Sequence, residues 1–352
     1  MKFRFDEIAF NSTLKKKPVE EDKIHYIGLE HIEPGNFSIT EWGSDVAPVG
    51  EKLIMKKGDI LFGKRRAYQR KVAIAPFDGI FSAHGMVLRP KTDVIDADFF
   101  PLFISSDTFM ETAMRISVGG LSPTINWKDL KEQEFELPSL EEQQTIAKKA
   151  WAAYRLKEAY QRLLVATDEM VKSQFIEMFG CEANEYNNQV LYSFEDICFD
   201  NTKAATKIPA SEYKYHGQYP IFDQASDTYI AGFTNTSNGL CRDFPAILFG
   251  DHSRVFKLIE QPFFIGADGV KIIRWKQNIN GPFLYHMLRY TKVPNTGYNR
   301  HFKWLKLKKY PIPNKKQQEE FAAIVSQADK SKFELKRAIE AIDKVIKSLI
   351  NG

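Results

Sequence analysis

The chain carries the same sequence signals twice, and this duplication limits its possible folds more than any other feature. The segment FDEIAFNST at residues 5–13 returns as FEDICFDNT at residues 194–202. The strand-like ILFG at residues 60–63 returns at residues 247–250. Two copies are too few for a solenoid. The chain therefore predicts two similar units built from one polypeptide.

Composition predicts an ordinary soluble protein, with 43% hydrophobic and 27% charged residues. No apolar run approaches the roughly 20 residues of a membrane span. The N-terminal MKFRFDEIAF carries acidic residues where a signal peptide needs an apolar core, so a cytoplasmic location is expected. Cys181, Cys198 and Cys241 are odd in number and widely spaced, which favours reduced thiols.

Each copy begins with a strand-rich part and ends with one long helix. Pro138 is followed by Ser139 and Glu142, which is a capping-box signature, and Asn314 and Gln317 repeat it after the second strand-rich part. The first helix is predicted over Leu140 to Phe179, ending at Gly180, and the second from about Lys315 to the C-terminus.

Both helices show apolar residues at alternating spacings of three and four, which is typical of a coiled-coil seam. The simplest partner for each helix is the other, paired antiparallel, although a hairpin that only supports the domains is the alternative. The predicted fold is α+β with pseudo-two-fold symmetry, in which each strand-rich domain is followed by a long helix. The predicted seam of the second helix is Phe321, Ile324, Ala328, Ser331, Leu335, Ala338, Ile342, Val345 and Leu349, and that of the first is Ile146, Ala150, Ala153, Lys157, Tyr160, Leu164, Thr167 and Val171.

Catalytic motifs are missing from the sequence. GDILFGKR at residues 58–65 resembles a P-loop, but Arg65 stands where Ser or Thr should bind magnesium, and the middle residues look like a buried strand. There is no CxxC, HExxH or GxSxG motif, and no methyltransferase or glycine-rich cofactor motif. The sequence favours a binding protein that is not an enzyme and holds neither metal nor cofactor.

Cation-rich polar loops are the candidate binding sites. Seven basic residues and one acid lie between Lys56 and Lys71, and six basic residues and no acid lie between Thr291 and Lys309. Arginine suits phosphates and guanine edges, and glutamine suits adenine. The candidate DNA contacts are Lys64, Arg65, Arg66, Tyr68, Gln69, Arg70, Ser122, Thr124, Asn126, His252, Ser253, Arg254, Tyr298, Asn299, Arg300, His301 and Lys303.

The order of these motifs resembles the specificity (S) subunit of type I restriction–modification enzymes. In the first copy, ISVGGLSPTINWKDLKEQEFELPSLEEQQTIA is similar to the family's glycine-rich loop, short strand, Leu-Pro and Glu-Gln sequence. In the second copy, HGQYPIF and PIPNKKQQEEFAAI fit as well. The second copy departs from the pattern at Lys315, Lys316 and Thr296, so base contacts cannot be transferred residue by residue.

The resemblance implies target recognition domains at residues 1–138 and 181–313, and helical spacer regions at residues 139–180 and 314–352. Each domain would read one half of a bipartite site in double-stranded DNA. Two methyltransferase (M) subunits and restriction (R) subunits would be partners, and S-adenosylmethionine, ATP and Mg would act only in those partners. Three alternatives stay open: an orphan S-like DNA-binding protein, a coiled-coil scaffold without sequence-specific DNA binding, and a nuclease with a degenerate site.

Overall fold

The computed structural model of the protein describes residues 1–180, 190–225, 228–266, 269–297 and 299–351. Cys181 and the predicted contact Tyr298 lie outside these ranges. The chain divides into two compact units, of which the first contains residues 1–161 and 337–352 and the second contains residues 162–336. Each unit therefore combines a strand-rich part with one segment of each long helix.

The first unit contains ten strands among its described residues. They form a two-stranded sheet β1-β10, an antiparallel sheet β2-β9-β6-β7, and a mixed sheet β3-β5-β8-β4. The strands are β1 Lys2–Arg4, β2 Ala9–Ser12, β3 Lys15–Lys16, β4 Tyr26–Ile27, β5 Lys52–Met55, β6 Ile60–Phe62, β7 Val72–Ile74, β8 Gly79–Phe81, β9 Met86–Pro90 and β10 Glu134–Glu136. The helices that begin in this unit are α1 Phe5–Ile8, α2 Phe99–Ser105, α3 Asp107–Arg115, α4 Trp127–Leu130 and α5 Leu140–Phe179.

The second unit repeats this arrangement in its described residues. A two-stranded sheet β11-β20 and an antiparallel sheet β12-β19-β16-β17 match their counterparts, whereas the second four-stranded sheet, β13-β18-β14-β15, has a different pairing. The strands are β11 Leu191–Ser193, β12 Cys198–Asp200, β13 Lys207–Ile208, β14 Tyr219–Phe222, β15 Gly232–Thr234, β16 Ala246–Gly250, β17 Phe256–Ile259, β18 Phe264–Gly266, β19 Val270–Trp275 and β20 Lys309–Pro311. The helices are α6 Phe194–Ile197, α7 Gly281–Tyr290, α8 Phe302–Leu307 and α9 Lys315–Asn351.

The duplicated segments are the structural anchors of the two units. Phe5 and Ile8 of the first copy are buried, and so are Phe194 and Ile197 of the second. Burying one such side chain contributes roughly 1.5–3 kcal/mol. The repeated sequence therefore corresponds to core residues that are buried in both units.

The predicted bounds of both long helices are confirmed. Ser139 Oγ accepts from Glu142 N at 3.3 Å while Ser139 N donates to Glu142 Oε2 at 2.8 Å, which is the predicted capping box. Gly180 takes φ +75 directly after Phe179, the left-handed conformation that glycine adopts most easily at a helix end. Asn314 Oδ1 accepts from Gln317 N at 3.0 Å at the start of α9.

A buried glutamine ties the start of each long helix to its unit. Gln143 Oε1 accepts from Asp96 N at 2.8 Å, and its Nε2 donates to Pro138 O at 3.0 Å. In the second unit, Gln318 Oε1 accepts from Asn280 N at 2.8 Å. Its Nε2 donates to the carbonyl of the proline that precedes α9, at 2.9 Å. Both amides are buried and hydrogen-bonded at both ends, so each connects the start of its helix to a neighbouring loop.

Within each unit the two long helices pair antiparallel. In the first unit, Lys157 of α5 lies 2.6 Å from Asp343 of α9. In the second unit, Lys332 of α9 lies 3.0 Å from Asp168 of α5. Early residues of one helix thus pair with late residues of the other, as the sequence predicted.

The seam of α9 is shifted by one residue at Ile324, Ser331 and Val345, whereas the other predicted positions are buried or half-buried. Phe321 and Ala328 are buried as predicted, but Val325 is buried in preference to Ile324. Ile346 is buried, whereas the predicted Val345 is exposed. Adjacent apolar pairs such as these satisfy a three-four and a four-three spacing equally well, so the pattern alone could not choose between them. The predicted seam positions of α5 are all buried or half-buried.

Candidate nucleic-acid interface

Two loops that the sequence singles out lie side by side in the first unit. The first loop, residues 63–71, follows β6, and the second, residues 117–126, leads into α4. Arg66 N donates to Pro123 O at 2.7 Å, so the loops share a backbone hydrogen bond. We call these two loops together the first loop surface. Its geometry confirms that two segments about 55 residues apart in sequence act as one patch.

Consecutive cations occupy the first loop surface. Arg66 is exposed, and its Nε donates to Ser122 Oγ at 3.3 Å. A guanidinium nitrogen of Arg65 lies 3.4 Å from Nε2 of His84. Burial, and after it the charges of Arg65 and Lys64, lower the pKa of His84. Because a guanidinium can only donate, the His84 nitrogen accepts in this contact. Guanidinium groups held in this way are suited to phosphates and guanine edges.

The backbone of these loops is strained at arginines. Among the described residues, the non-glycine residues with positive φ are Arg66 at 56°, Arg70 at 53° and Arg254 at 62°. A non-glycine residue whose backbone is in the left-handed region costs roughly 1–2 kcal/mol, and such conformations cluster at functional sites. Two of the three flank the single turn of 3₁₀ helix at residues 67–69, and the third lies in the equivalent loop of the second unit.

Arg70 is partly exposed and is also bonded within the first unit. Its Nη2 donates to Ser105 O at 3.0 Å and to Asp107 Oδ1 at 2.6 Å. Asp107 N in turn donates to Asn351 Oδ1, in the last turn of α9, at 2.7 Å. Asp107 therefore connects the end of the cationic loop to the end of the C-terminal helix. Arg70 stays a predicted DNA contact, and these bonds also give it a role in positioning the loop.

The remaining predicted residues of the first unit differ in exposure. Tyr68 and Asn126 are exposed, and the Asn126 amide donates to Asp129 at 3.4 Å. Lys64 is half-buried, and burial and the nearby charge of Lys15 lower its pKa. Gln69, Ser122 and Thr124 are also half-buried.

The second unit builds its loops in the same way, and we call residues 250–254 and 299–303 together the second loop surface. Asp251 O accepts from His301 N at 2.8 Å, just as Lys64 O accepts from Ile125 N at 3.0 Å in the first unit. The Asp251 side chain is buried, and its Oδ1 accepts from Phe302 N at 2.7 Å. The same position thus carries a half-buried lysine in one unit and a buried aspartate in the other. The exposed side chains also differ, with Arg66 and Tyr68 in the first unit and Asn299 and Arg300 in the second.

His301 was predicted as a DNA contact, but its side chain is fully buried. Its Nδ1 donates to Asp251 O at 2.9 Å, and its Nε2 accepts from Thr296 N at 3.3 Å. Both ring nitrogens are therefore used in holding the loop. A sequence read alone gives no sign of this burial, because the neighbouring residues are polar and basic.

Other predicted residues of the second unit stay available at its surface. Arg300, Asn299 and Lys303 are exposed, and Lys303 Nζ lies 5.1 Å from the centre of the Trp304 ring. Arg254 donates to Val293 O at 3.4 Å, and His252 and Ser253 are half-buried beside it. These exposed residues remain predicted contacts.

The P-loop interpretation is excluded by the geometry. Ile60–Phe62 is a buried strand, and the preceding Asp59 is paired with Arg89 at 2.6 Å. Over the described ranges, no cluster of three or more His, Cys, Asp or Glu is arranged to hold a metal ion. Across the same ranges, no helix is long and apolar enough to cross a membrane.

Sequence reasoning missed two residues, one that supports the first loop surface and one at its tip. Asp107 lies 37 residues after Arg70, and nothing in its local sequence announces the contact. Leu121 has a signal that could have been noticed, since it is a single apolar residue between two glycines and Ser-Pro. It is 96% exposed.

Comparison with known proteins gives a consistent answer. Residues 3–153 match the family model of the type I restriction modification DNA specificity domain. The chain is 32% identical over 152 residues to the type I restriction enzyme EcoDI specificity subunit of Escherichia coli. That match covers 42% of this chain and 33% of the relative, so the chain spans about a third of the length of the curated relative it matches.

Solved structures extend the likeness to the whole chain at the level of fold. The S subunit of a type I restriction–modification system from M. genitalium is 16% identical, with a TM-score of 0.57, and the match covers 99% of this chain and 94% of that one. A structure described for complex assembly and conformational transition of the type I R-M system is also 16% identical, with a TM-score of 0.56 and coverage of 99% and 96%. The resemblance read from the sequence is confirmed: the chain has the fold of type I specificity subunits, and residues 3–153 match their DNA specificity domain.

Proposed function

We propose that this chain is the DNA-recognition subunit of a type I restriction–modification complex. Residues 1–138 and 181–313 act as two target recognition domains, and each reads one half of a bipartite site. The observation that carries the proposal is the first loop surface, where Arg65 and Arg66 are held by backbone and side-chain bonds within a segment that matches a DNA specificity domain.

The second loop surface supports a different half-site rather than a copy of the first. The two surfaces share their backbone construction but differ in their exposed side chains, Arg66 and Tyr68 in one and Asn299 and Arg300 in the other. One four-stranded sheet of each unit is also paired differently. A shared scaffold with divergent tips is what two unlike half-sites require.

Catalysis belongs to partner subunits in this proposal. Two M subunits transfer a methyl group from S-adenosylmethionine to adenine, and R subunits use ATP and Mg. The present chain contributes recognition and a docking platform, for which the paired segments of α5 and α9 are the candidate.

The test is to map methylated adenines in cells that carry this chain together with its M subunit. The proposal predicts an interrupted motif with two specific halves and an unspecific spacer, and no methylation when either protein is expressed alone. A continuous motif would contradict the bipartite part of the proposal. Methylation or magnesium-dependent cleavage by the purified chain would contradict its non-catalytic role.

A further inference from the structure

The most exposed apolar side chain of the first loop surface is Leu121. It is 96% exposed at the tip of the second loop. Burial of a leucine stabilises a fold by roughly 1.5–3 kcal/mol, so a leucine left almost wholly in water contributes nothing of this kind here. Folding therefore gives no reason for an apolar residue at this position.

The tip that carries Leu121 is a built structure. Val118 N donates to Thr124 O at 3.0 Å and Thr124 N donates to Val118 O at 2.9 Å, which closes a narrow antiparallel stem. Gly119 takes φ +112, which other residues rarely adopt, and the space around Gly120 is open. The stem and the two glycines project Leu121 beyond the rest of the loop.

Two arginines contact the base of this tip. Arg65 forms a β-bridge with Thr124, and Arg66 is bonded to Ser122, the residue after Leu121. An apolar tip beside a guanidinium group matches the composition of duplex DNA, which offers phosphates at the groove edge and apolar base surface within the groove.

We infer that Leu121 enters a groove of the first half-site and makes an apolar contact with a base edge, of the kind a thymine methyl group offers. This inference rests on the proposed function and adds a specificity-determining residue to it. Arg66 contacts the DNA phosphate backbone beside this groove. The charge of Arg66 therefore contributes affinity for any sequence, and Leu121 contributes discrimination between base sequences.

The experiment measures equilibrium binding by the full chain assembled with its M subunits, on the mapped site and on a duplex with the first half-site scrambled, over a range of salt. Leu121→Ala is expected to weaken binding to the mapped site about tenfold and to leave the scrambled duplex unaffected. The salt slope stays unchanged because no phosphate contact is lost. Arg66→Ala is expected to lower the slope by about one unit on both duplexes.

Val49→Ala is the matched control, since Val49 is 91% exposed on another loop of the same unit. It should bind both duplexes as the unchanged protein does. Replacing each thymine of the half-site with uracil then identifies the contacted base: the unchanged protein loses affinity at one position, and the Leu121→Ala protein does not.

The outcomes separate this inference from the proposed function. If Leu121→Ala binds the mapped site normally while Arg66→Ala is weakened, the surface binds DNA but Leu121 does not read it. If Leu121→Ala prevents assembly with M subunits, the tip contacts protein, and the inference is wrong. If the unchanged complex does not distinguish the two duplexes, the proposed function itself fails.

Discussion

Asp107 joins two distant parts of the first unit through one carboxylate. Arg70 of the cationic loop lies 2.6 Å from it, and Lys347 of α9 lies 3.8 Å from its other oxygen. These side chains are partly exposed, so the ion pairs contribute at most about 1 kcal/mol to stability. Their consequence is positional, because Arg70 holds a left-handed backbone at the end of the loop.

We therefore expect Asp107→Asn to weaken DNA binding several-fold while lowering the free energy of unfolding by less than about 1 kcal/mol. The effect should appear at the first half-site only. Binding assays on duplexes with either half-site changed, together with urea unfolding, measure both quantities. Asp78→Asn, which removes an exposed pair with Lys56 in the same unit, is the control. Equal DNA affinity in the two variants would show that Asp107 does not position the loop.

His286 is a buried histidine in the core of the second unit. It packs against Phe321 at 5.4 Å between ring centres, and its Nδ1 lies 3.2 Å from Tyr290 Oη. Burial, and after it the charge of Arg289, lowers its pKa to about 4. When the pH falls below the ordinary histidine pKa near 6.5, the unfolded chain binds a proton that the folded protein does not.

The contribution of His286 to stability should therefore be present above about pH 6.5 and be lost as the pH falls toward about 4. Over that window we expect a loss on the order of 2–3 kcal/mol. His286→Gln cannot titrate there, so its free energy of unfolding, measured with urea at several pH values, should fall less steeply than that of the unchanged protein. Parallel pH profiles for the two proteins would refute the assignment.

At the scale of elements, the register of α9 can be tested with two neighbouring residues. Ile346 is 5% exposed and Val345 is 52% exposed. Ile346→Ala should lower the free energy of unfolding by about 2 kcal/mol or more. Val345→Ala should change it by no more than about 0.5 kcal/mol. The measurement is urea unfolding monitored by circular dichroism. A larger loss of unfolding free energy for Val345→Ala than for Ile346→Ala would support the register expected from sequence spacing.

The long helices should also act as a spacer. Early residues of α5 pair with late residues of α9 in the first unit, and the reverse holds in the second. A heptad added to each helix between its paired segments preserves the seam and adds about 10 Å. We expect a longer unspecific spacer, by at most about three base pairs, with both half-site sequences retained. The measurement is the mapping of methylated sites. If the lengthened complex is active but its sites keep the original spacer, the helices only support the domains.

Helices and caps were predictable because their signals are local. The capping boxes, Gly180 and the seam of α5 all depend on residues within a turn or two of one another. The alternate seam positions of α9 were not predictable, because Ile324 with Val325 and Val345 with Ile346 offer two apolar choices each. Packing in the folded protein made the choice.

At the scale of the whole molecule, the duplication allowed the architecture to be predicted, but it could not give the chemistry of the loop surfaces. Arg70 and His301 look like base readers in a cationic sequence, yet one is held by Asp107 and the other is buried beneath its loop. Both contacts join residues 37 or more positions apart, and such pairs leave no periodic signal in the sequence. The strand pairing also differs between the sheets β3-β5-β8-β4 and β13-β18-β14-β15, and it too depends on residues far apart in sequence.

The central claim is that each recognition domain reads one half-site independently. Its most direct test replaces residues 1–138 with those of a related subunit that keeps an aromatic residue at Phe37, which packs on Trp151 and Tyr154 of α5. Methylated sites made by this chimera with the M subunit are then mapped. The account predicts that one half of the motif changes while the other half and the spacer stay the same. A motif altered in both halves, or in neither, would contradict it.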